Sequence, residues 1–243
     1  FMVILERQFG WSRTTMSGAF SLARVQGAIL GPLEGYLVDR LGPRRLILIG
    51  HVIMSAGFVL FSQIHSVWQF YLAFGVIALG SSLGGWLALV VLVNNWFIRR
   101  RGIAIATALS GLHIGGFLVP VLAVALESQG FRVTTLGIGL FLLAIVIPAT
   151  RLIRNRPEDY GMRPDGNAAS STASPARAGV VAATEEVEPD FTVRQALRTR
   201  AFWMICVVHL STGVSIVPVA LHLVPKLTDM GMSLSGAGLI VLI

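Results

Sequence analysis

Residues 35–50 read GYLVDRLGPRRLILIG, a short charged turn between two long apolar runs. Asp39, Arg40, Arg44 and Arg45 all fall within 39–45, and Gly42-Pro43 breaks the chain between them. Charge this concentrated, with flanks oily enough to lie in lipid, has a purpose only if the flanks are buried in a bilayer.

The composition fits that reading. Charged residues make up 13% of the chain and hydrophobic residues 54%, against roughly 25% charged in an ordinary globular domain. Mean hydropathy is +0.75. The 26 glycines suit a membrane bundle, where small residues let helices approach closely in lipid. The net charge of +7 does not point to nucleic acid, because the basic residues lie in short clusters between apolar spans, with no interleaved aromatics and no basic recognition helix. The single Cys206 sits in an apolar run and offers neither a disulfide framework nor metal-ligand spacing. No span carries H-E-x-x-H, clustered carboxylates or a Ser–His nucleophile arrangement, so no catalytic residue, metal or cofactor is expected.

Working outward from the turn, six stretches are long enough to cross a hydrocarbon core of ~30 Å, which takes ~20 residues. They are 14–38, 46–64, 67–93, 102–126, 133–153 and 201–225. The apolar runs at 1–5 and 234–243 are too short to cross. The pattern therefore predicts an all-α polytopic membrane protein seen as an internal stretch. It runs from the end of one helix, through six spans, into the start of another. Such a stretch is expected to insert but not to transport by itself.

The Lys and Arg residues assign the sides. Segments 39–45, 94–101 and 151–200 hold most of the 19, including Arg40, Arg44, Arg45, Arg99, Arg100, Arg101, Arg151, Arg154 and Arg156. The alternate loops hold only Arg7, Arg13, Arg132 and Lys226. By the positive-inside rule the crowded side is cytoplasmic, which predicts 39–45, 94–101 and 154–199 on the cytoplasmic side of a multi-pass protein in the plasma (inner) membrane. Residues 165–190, rich in Ala, Ser, Thr, Pro and Glu, cannot bury enough apolar surface to fold alone. They predict a flexible linker, with Asp190 as N-cap of a short helix leading into the next span. The expected organisation is 1–153, 154–199 and 200–243.

Six helices, a long cytoplasmic linker and a second group of helices resemble the major facilitator superfamily. The opening turn resembles its signature G-x-x-x-D-R/K-x-G-x-R/K-R/K at every position, through Gly35, Asp39, Arg40, Gly42, Arg44 and Arg45. The resemblance implies the superfamily's helical bundle, here the end of helix 1, helices 2–7 and the start of helix 8. It also implies a conformational latch in this turn. Asp39 would contact the other half of the protein in the outward-facing state, with several cations close by. The plain alternative is that the arginines only face lipid headgroups.

NNWFIRRRGIAIATALSGLHIGG, 94–116, resembles the loop and fifth helix of monocarboxylate transporters and oxalate–formate antiporters. Trp96-Phe97, the 99–101 basic run, and Ala104, Ala108, Gly111 and Gly115 carry that likeness. FGWSRTTMSGAFSL, 9–22, and RPEDYGMRPDG, 156–166, resemble the same group. Sugar and drug–proton members often carry an Arg inside the fourth helix, whereas 70–93 has no charge. The resemblance thus implies a secondary transporter of small organic anions, mono- or dicarboxylates, with a coupling proton or counter-anion. Transport of a drug or sugar, or a non-transporting receptor, are the alternatives. The group's main anion-binding residues lie largely in helices 1, 8 and 11 and cannot be carried over.

Arg24 is the one charge near the middle of a span, where it costs ~2.5–3.5 kcal/mol on insertion scales. Ser17, Ser21, Gly27, Ala28, Gly31 and Gly35 share its face as a small, polar stripe. Glu34, ten residues on and turned off the stripe, is not an easy partner. An anionic substrate is one counter-ion for Arg24; helix carbonyls or another carboxylate are the alternatives. His113 and His209 also lie within spans, as proton-coupling sites or as packing histidines. Asn94 and Ser110, with Thr107, are further candidates for polar cavity contacts. Gly80, Gly84, Gly111 and Gly115 are expected to be close-packing sites.

Overall fold

The computed structural model describes residues 2–166, 193–233, 236–237 and 240. The linker expected at 165–190 and the helix start expected at 234–243 lie largely outside the described residues, as does Asp190. Residues 1–168 with 238–243 form one compact unit and 169–237 a second. No strand occurs among the described residues.

In the first unit the chain forms α1 (Met2–Phe9), α2 (Arg13–Leu41), α3 (Pro43–Ser62), α4 (Val67–Leu83), α5 (Trp86–Trp96), α6 (Arg101–Gly116) and α7 (Leu118–Leu152). Local chemistry sets the boundaries. Ser12 caps α2 by accepting the Thr15 N–H at 3.1 Å, and Ser66 caps α4 through the Gln69 N–H. Pro43 opens α3 at a position whose N–H would be unpaired anyway.

Three of the expected spans differ from the sequence reading. The stretch 67–93 is helical but broken between Leu83 and Trp86, because Gly84 and Gly85 leave helical geometry, Gly85 with φ −91 and ψ −135. The 102–126 and 133–153 spans join end to end in one run whose turn is a single residue, Gly130, at φ 80 and ψ 169. Among the described residues, three stretches are long and apolar enough to cross a membrane: Pro43–Ser62, Val67–Trp96 and Arg101–Leu152. The 29-residue α2 has the length, ~43 Å at 1.5 Å per residue. Its small polar stripe and its charges keep its hydropathy down.

α3 is the central helix, packed on both α4 and α7. Gly50 of α3 and Gly80 of α4 meet backbone to backbone, so that a Cβ on either would collide with main-chain atoms of the other helix. Gly84 shares this crossing, as expected. Gly111 and Gly115 do not: nothing lies within 4 Å of where their Cβ would be. On the other side of α3, the buried Ser55 hydroxyl donates to the Gly139 carbonyl of α7 at 2.6 Å. α2 is tied to α4 by Tyr71 Oη–H to the Thr15 carbonyl, 2.8 Å, and Gln26 Nε2–H to the Gly75 carbonyl, 3.2 Å.

At the end away from the 39–45 turn, Phe61, Phe70 and Phe131 are buried together, with ring centroids 5.2 Å apart for Phe61–Phe131 and 5.8 Å for Phe61–Phe70. A wholly apolar cavity of about 160 Å³ lies beside them, lined by Met16, Phe20, Phe58 and Phe74 among others. Elsewhere the helices present bare apolar surface; Ile29 is 71% and Ile103 72% exposed.

The second unit holds the short helix Val193–Ala196 and the 30-residue helix Arg200–Asp229. Thr199 caps the long helix, its Oγ1 accepting the Phe202 N–H at 3.3 Å.

Candidate functional site

The 39–45 turn is tighter than a loop. Gly42 alone separates α2 from α3, with φ 79 and ψ 153, and its N–H closes α2 on the Val38 carbonyl at 3.0 Å. Its positive φ favours glycine. A Cβ there would also stand 2.9 Å from Nδ2 of Asn155.

The three arginines of the turn go three ways. Arg40 donates to the Tyr36 hydroxyl at 2.7 Å, its guanidinium 6.0 Å from the ring centre. Arg44 donates through Nε to the Thr150 carbonyl, 2.7 Å, and through its backbone N–H to Asn155 Oδ1, 3.0 Å. Arg45 is exposed. Asp39 is exposed and, among the described residues, makes no ion pair or hydrogen bond. The cations expected around Asp39 are therefore neighbours in sequence but not ion partners in space. Gly35 is open, with nothing near its missing side chain.

The second charged turn, between α5 and α6, is held from the same direction. Asn95 Nδ2–H donates to the Asn155 carbonyl at 3.1 Å, and Trp96 Nε1–H to the Arg154 carbonyl at 2.8 Å. The Asp165 carboxylate accepts the backbone N–H groups of Arg99 at 2.8 Å, Ile98 at 3.3 Å and Arg100 at 3.4 Å. These bonds, that of Arg99 foremost, hold its pKa below the ordinary 3.8, against a partial loss of hydration; the Arg100 charge adds to them. The Arg154 guanidinium rests 4.1 Å from the Tyr160 ring centre.

Arg24 is exposed on α2. Nothing lies within 4 Å of the missing side chains of Gly27, Gly31 and Gly35 on its stripe, so this face is open. The buried residues of α2 are Met16, Ala19, Glu34 and Val38. Glu34 is 7% exposed and accepts the Ser82 hydroxyl of α4, consistent with its placement off the stripe.

The other candidates are scattered. Asn94 is exposed on α5. Ser110 and Thr107 donate to carbonyls of their own helix, those of Ala106 at 3.0 Å and Ile103 at 2.9 Å. His113 is carried by α6, and its side chain lies outside the described residues. His209 is exposed on Arg200–Asp229, in the second unit. No hydrogen bond joins Arg24, Asn94 and Ser110. The structure brings Gly42 and Arg44 together with Thr150 and Asn155, and the 98–100 backbone with Asp165. Asn155 and Asp165 were not singled out from the sequence. The Asp-Gly pair at 165–166 was the available signal, since Asp tolerates the left-handed conformation that Asp165 adopts, φ 64.

Comparison with known proteins places these features. The Major Facilitator Superfamily family model matches residues 1–243. The chain is similar to the oxalate:formate antiporter of Oxalobacter formigenes, 23% identical over 225 residues, 92% of this chain and 49% of that protein. It is similar to monocarboxylate transporter 14 of Homo sapiens, 31% identical over 189 residues, 74% of this chain and 36% of that protein. It is also similar to the Fujikurins efflux protein of Gibberella fujikuroi, 27% identical over 155 residues, 63% of this chain and 33% of that protein. The chain thus spans between a third and a half of the length of these relatives. A whole-chain family match, long apolar helices and a charged turn closed by Gly42 agree, and the chain belongs to the Major Facilitator Superfamily of membrane transporters, which are polytopic helical bundles.

Proposed function

We propose that the whole protein is a secondary transporter of small organic anions, mono- or dicarboxylates. It works by alternating access between two helical halves, with a proton or a counter-anion as coupling species. The observation that carries this reading is Arg24: a mid-helix cation without a partner among the described residues, on an open face of small residues. A cation so placed calls for a polar cavity or an anionic partner. The names of two relatives, an oxalate:formate antiporter and a monocarboxylate transporter, support carboxylates as that partner.

In this reading residues 1–153 are most of the N-terminal half, 154–199 the cytoplasmic linker and 200–243 the start of the C-terminal half, in the plasma membrane. The turn Gly35–Arg45 is the latch. Asp39, exposed and without an ion pair or hydrogen bond among the described residues, is free to meet the other half when the cytoplasmic side closes. His113, His209, Asn94 and Ser110 remain candidate cavity or coupling residues on the same proposal.

The test is uptake of labelled oxalate, formate and lactate into proteoliposomes holding the whole protein, against empty liposomes, with and without a proton gradient or internal anion. Saturable uptake of at least one anion is expected. The likeness to the Fujikurins efflux protein favours a second reading, efflux of another class of organic solute. No uptake of any of the three anions, together with outward pumping of a non-anionic organic solute, would replace the first reading with that one.

A further inference from the structure

We infer that Asn155 is a positioning residue for the latch: it and the segment 150–165 hold the 39–45 turn and the 95–100 turn in one arrangement. The inference rests on the latch reading above and extends it to residues outside the signature.

Among the described residues, no hydrogen bond runs directly between the two charged turns. The side-chain-mediated bonds linking either turn to a third segment end on 150–165. Arg44 reaches Thr150 and Asn155. Asn95 and Trp96 reach the carbonyls of Asn155 and Arg154. The N–H groups of Ile98, Arg99 and Arg100 reach Asp165. Asn155 is the residue common to both turns. Its side chain takes Arg44, its main chain takes Asn95, and its carboxamide fills the space left by the absent Cβ of Gly42.

The bonds are of a kind that helices need. Arg44 lies in the first turn of α3, where N–H groups have no partner within the helix. Asn155 Oδ1 satisfies that N–H. Asp165 does the same for the turn entering α6, where Arg100 at the N-cap position makes no side-chain cap bond. Its negative charge also complements the positive end of that helix. Among the described residues the charged side chains of Asp39 and Arg45 stay unbonded at the surface. Gly42 in the signature then has two reasons to be glycine: its own φ, and the room that Asn155 requires.

The experiment uses the whole protein in proteoliposomes with every native cysteine, Cys206 included, replaced by Ser and a reporter Leu41→Cys at the end of α2. Asn155→Ala removes the acceptor for Arg44; Asn155→Asp keeps it. Asn155→Ala is expected to lower turnover at saturating anion about tenfold with KM within about twofold, and to raise maleimide labelling of the reporter from the cytoplasmic side. Asn155→Asp is expected to restore both. A purely structural role would lower the amount of folded protein without this split between kcat and KM. The labelling needs no transported substrate, so it reads the positioning role even if oxalate, formate and lactate are not carried.

Asp39→Asn is measured alongside. If it cripples turnover while Asn155→Ala leaves turnover and labelling unchanged, the positioning role is overturned and the latch reading stands. If the wild type transports and neither variant changes turnover, both fall. Hydrogen exchange on the unmutated protein gives a reading independent of any variant's folding. The Arg44 amide is expected to exchange at least tenfold more slowly than that of Arg45, its neighbour in the same first turn. Equal rates would overturn the inference.

Discussion

Oδ1 of Asn155 accepts the backbone N–H of Arg44 at 3.0 Å across 111 positions of the chain. Neither residue is apolar, and neither belongs to a packed core. The bond nevertheless ties the turn between α2 and α3 to the segment that follows α7. It also makes the behaviour of the charged turns open to direct measurement.

Asp39→Asn keeps the size of the side chain and removes its charge. Asp39 has no partner among the described residues, so membrane insertion and melting temperature are expected to stay unchanged. Turnover is expected to fall about tenfold or more, equivalent to ~1.4 kcal/mol of barrier per tenfold. Initial uptake rates at matched surface expression check this; wild-type rates would argue against a gating role.

Arg24→Ala is expected to weaken anion affinity about 10- to 100-fold, the scale of one hydrogen bond to a charged group, ~1.5–3 kcal/mol. Its exposed position predicts little loss of thermal stability. Binding of oxalate or lactate to purified whole protein, with a melting curve on the same sample, separates the two. A large stability loss with unchanged affinity would make Arg24 structural.

Gly80→Leu drives a side chain into the main chain of α3 at the Gly50 crossing. Overpacking of this kind costs typically ~1–3 kcal/mol, occasionally more. Gly111→Leu, at a glycine with nothing within 4 Å, is expected to cost far less. Comparing the two in detergent melts tests which glycines pack within the first unit.

Asp165 has a folded pKa held below its ordinary 3.8. Its contribution to holding the 98–100 backbone is therefore present above that ordinary value and lost as pH falls through the lower folded value. At neutral pH, Asp165→Asn is expected to speed amide exchange at Ile98, Arg99 and Arg100, with Asn95 and Trp96 less affected. In the wild type the same loss of protection, corrected for intrinsic exchange, is expected only below about pH 3.8. Protection unchanged in the variant would mean that the carboxylate does not hold this turn.

Ser82→Ala leaves the buried carboxyl of Glu34 without the hydroxyl that it accepts. Loss of a buried partner of this kind costs ~1–3 kcal/mol. A melting temperature equal to wild type would show that the pair is not a stabilising tie between α2 and α4.

Much of the fold was legible before any coordinates. The long apolar runs, the Gly42-Pro43 break and the cap residues Ser12 and Ser66 are local signals, and helices form where they point. The placement of Glu34 off the Arg24 stripe was legible too, because the angle between residues on one helix follows from its pitch. What a glycine does was not. Gly84 and Gly111 look alike in sequence, yet one is pressed against α3 and the other faces open space. The break of 67–93 at Gly84-Gly85 was likewise hidden inside an uninterrupted apolar run.

The sequence by itself determined that this is a helical membrane chain, where its turns fall, and that its signature glycine, aspartate and arginines share one of them. Those properties depend on hydropathy, charge and turn chemistry read over a few neighbouring residues. Only the tertiary structure decided which face of each helix is buried and what the turns hold on to. Helices such as α4 are apolar all round, so their pattern does not encode their rotation about the bundle. The partners of Arg44 and of the 98–100 backbone come from residues 150, 155 and 165. Those residues reach the turns only because α3 and α7 pack side by side.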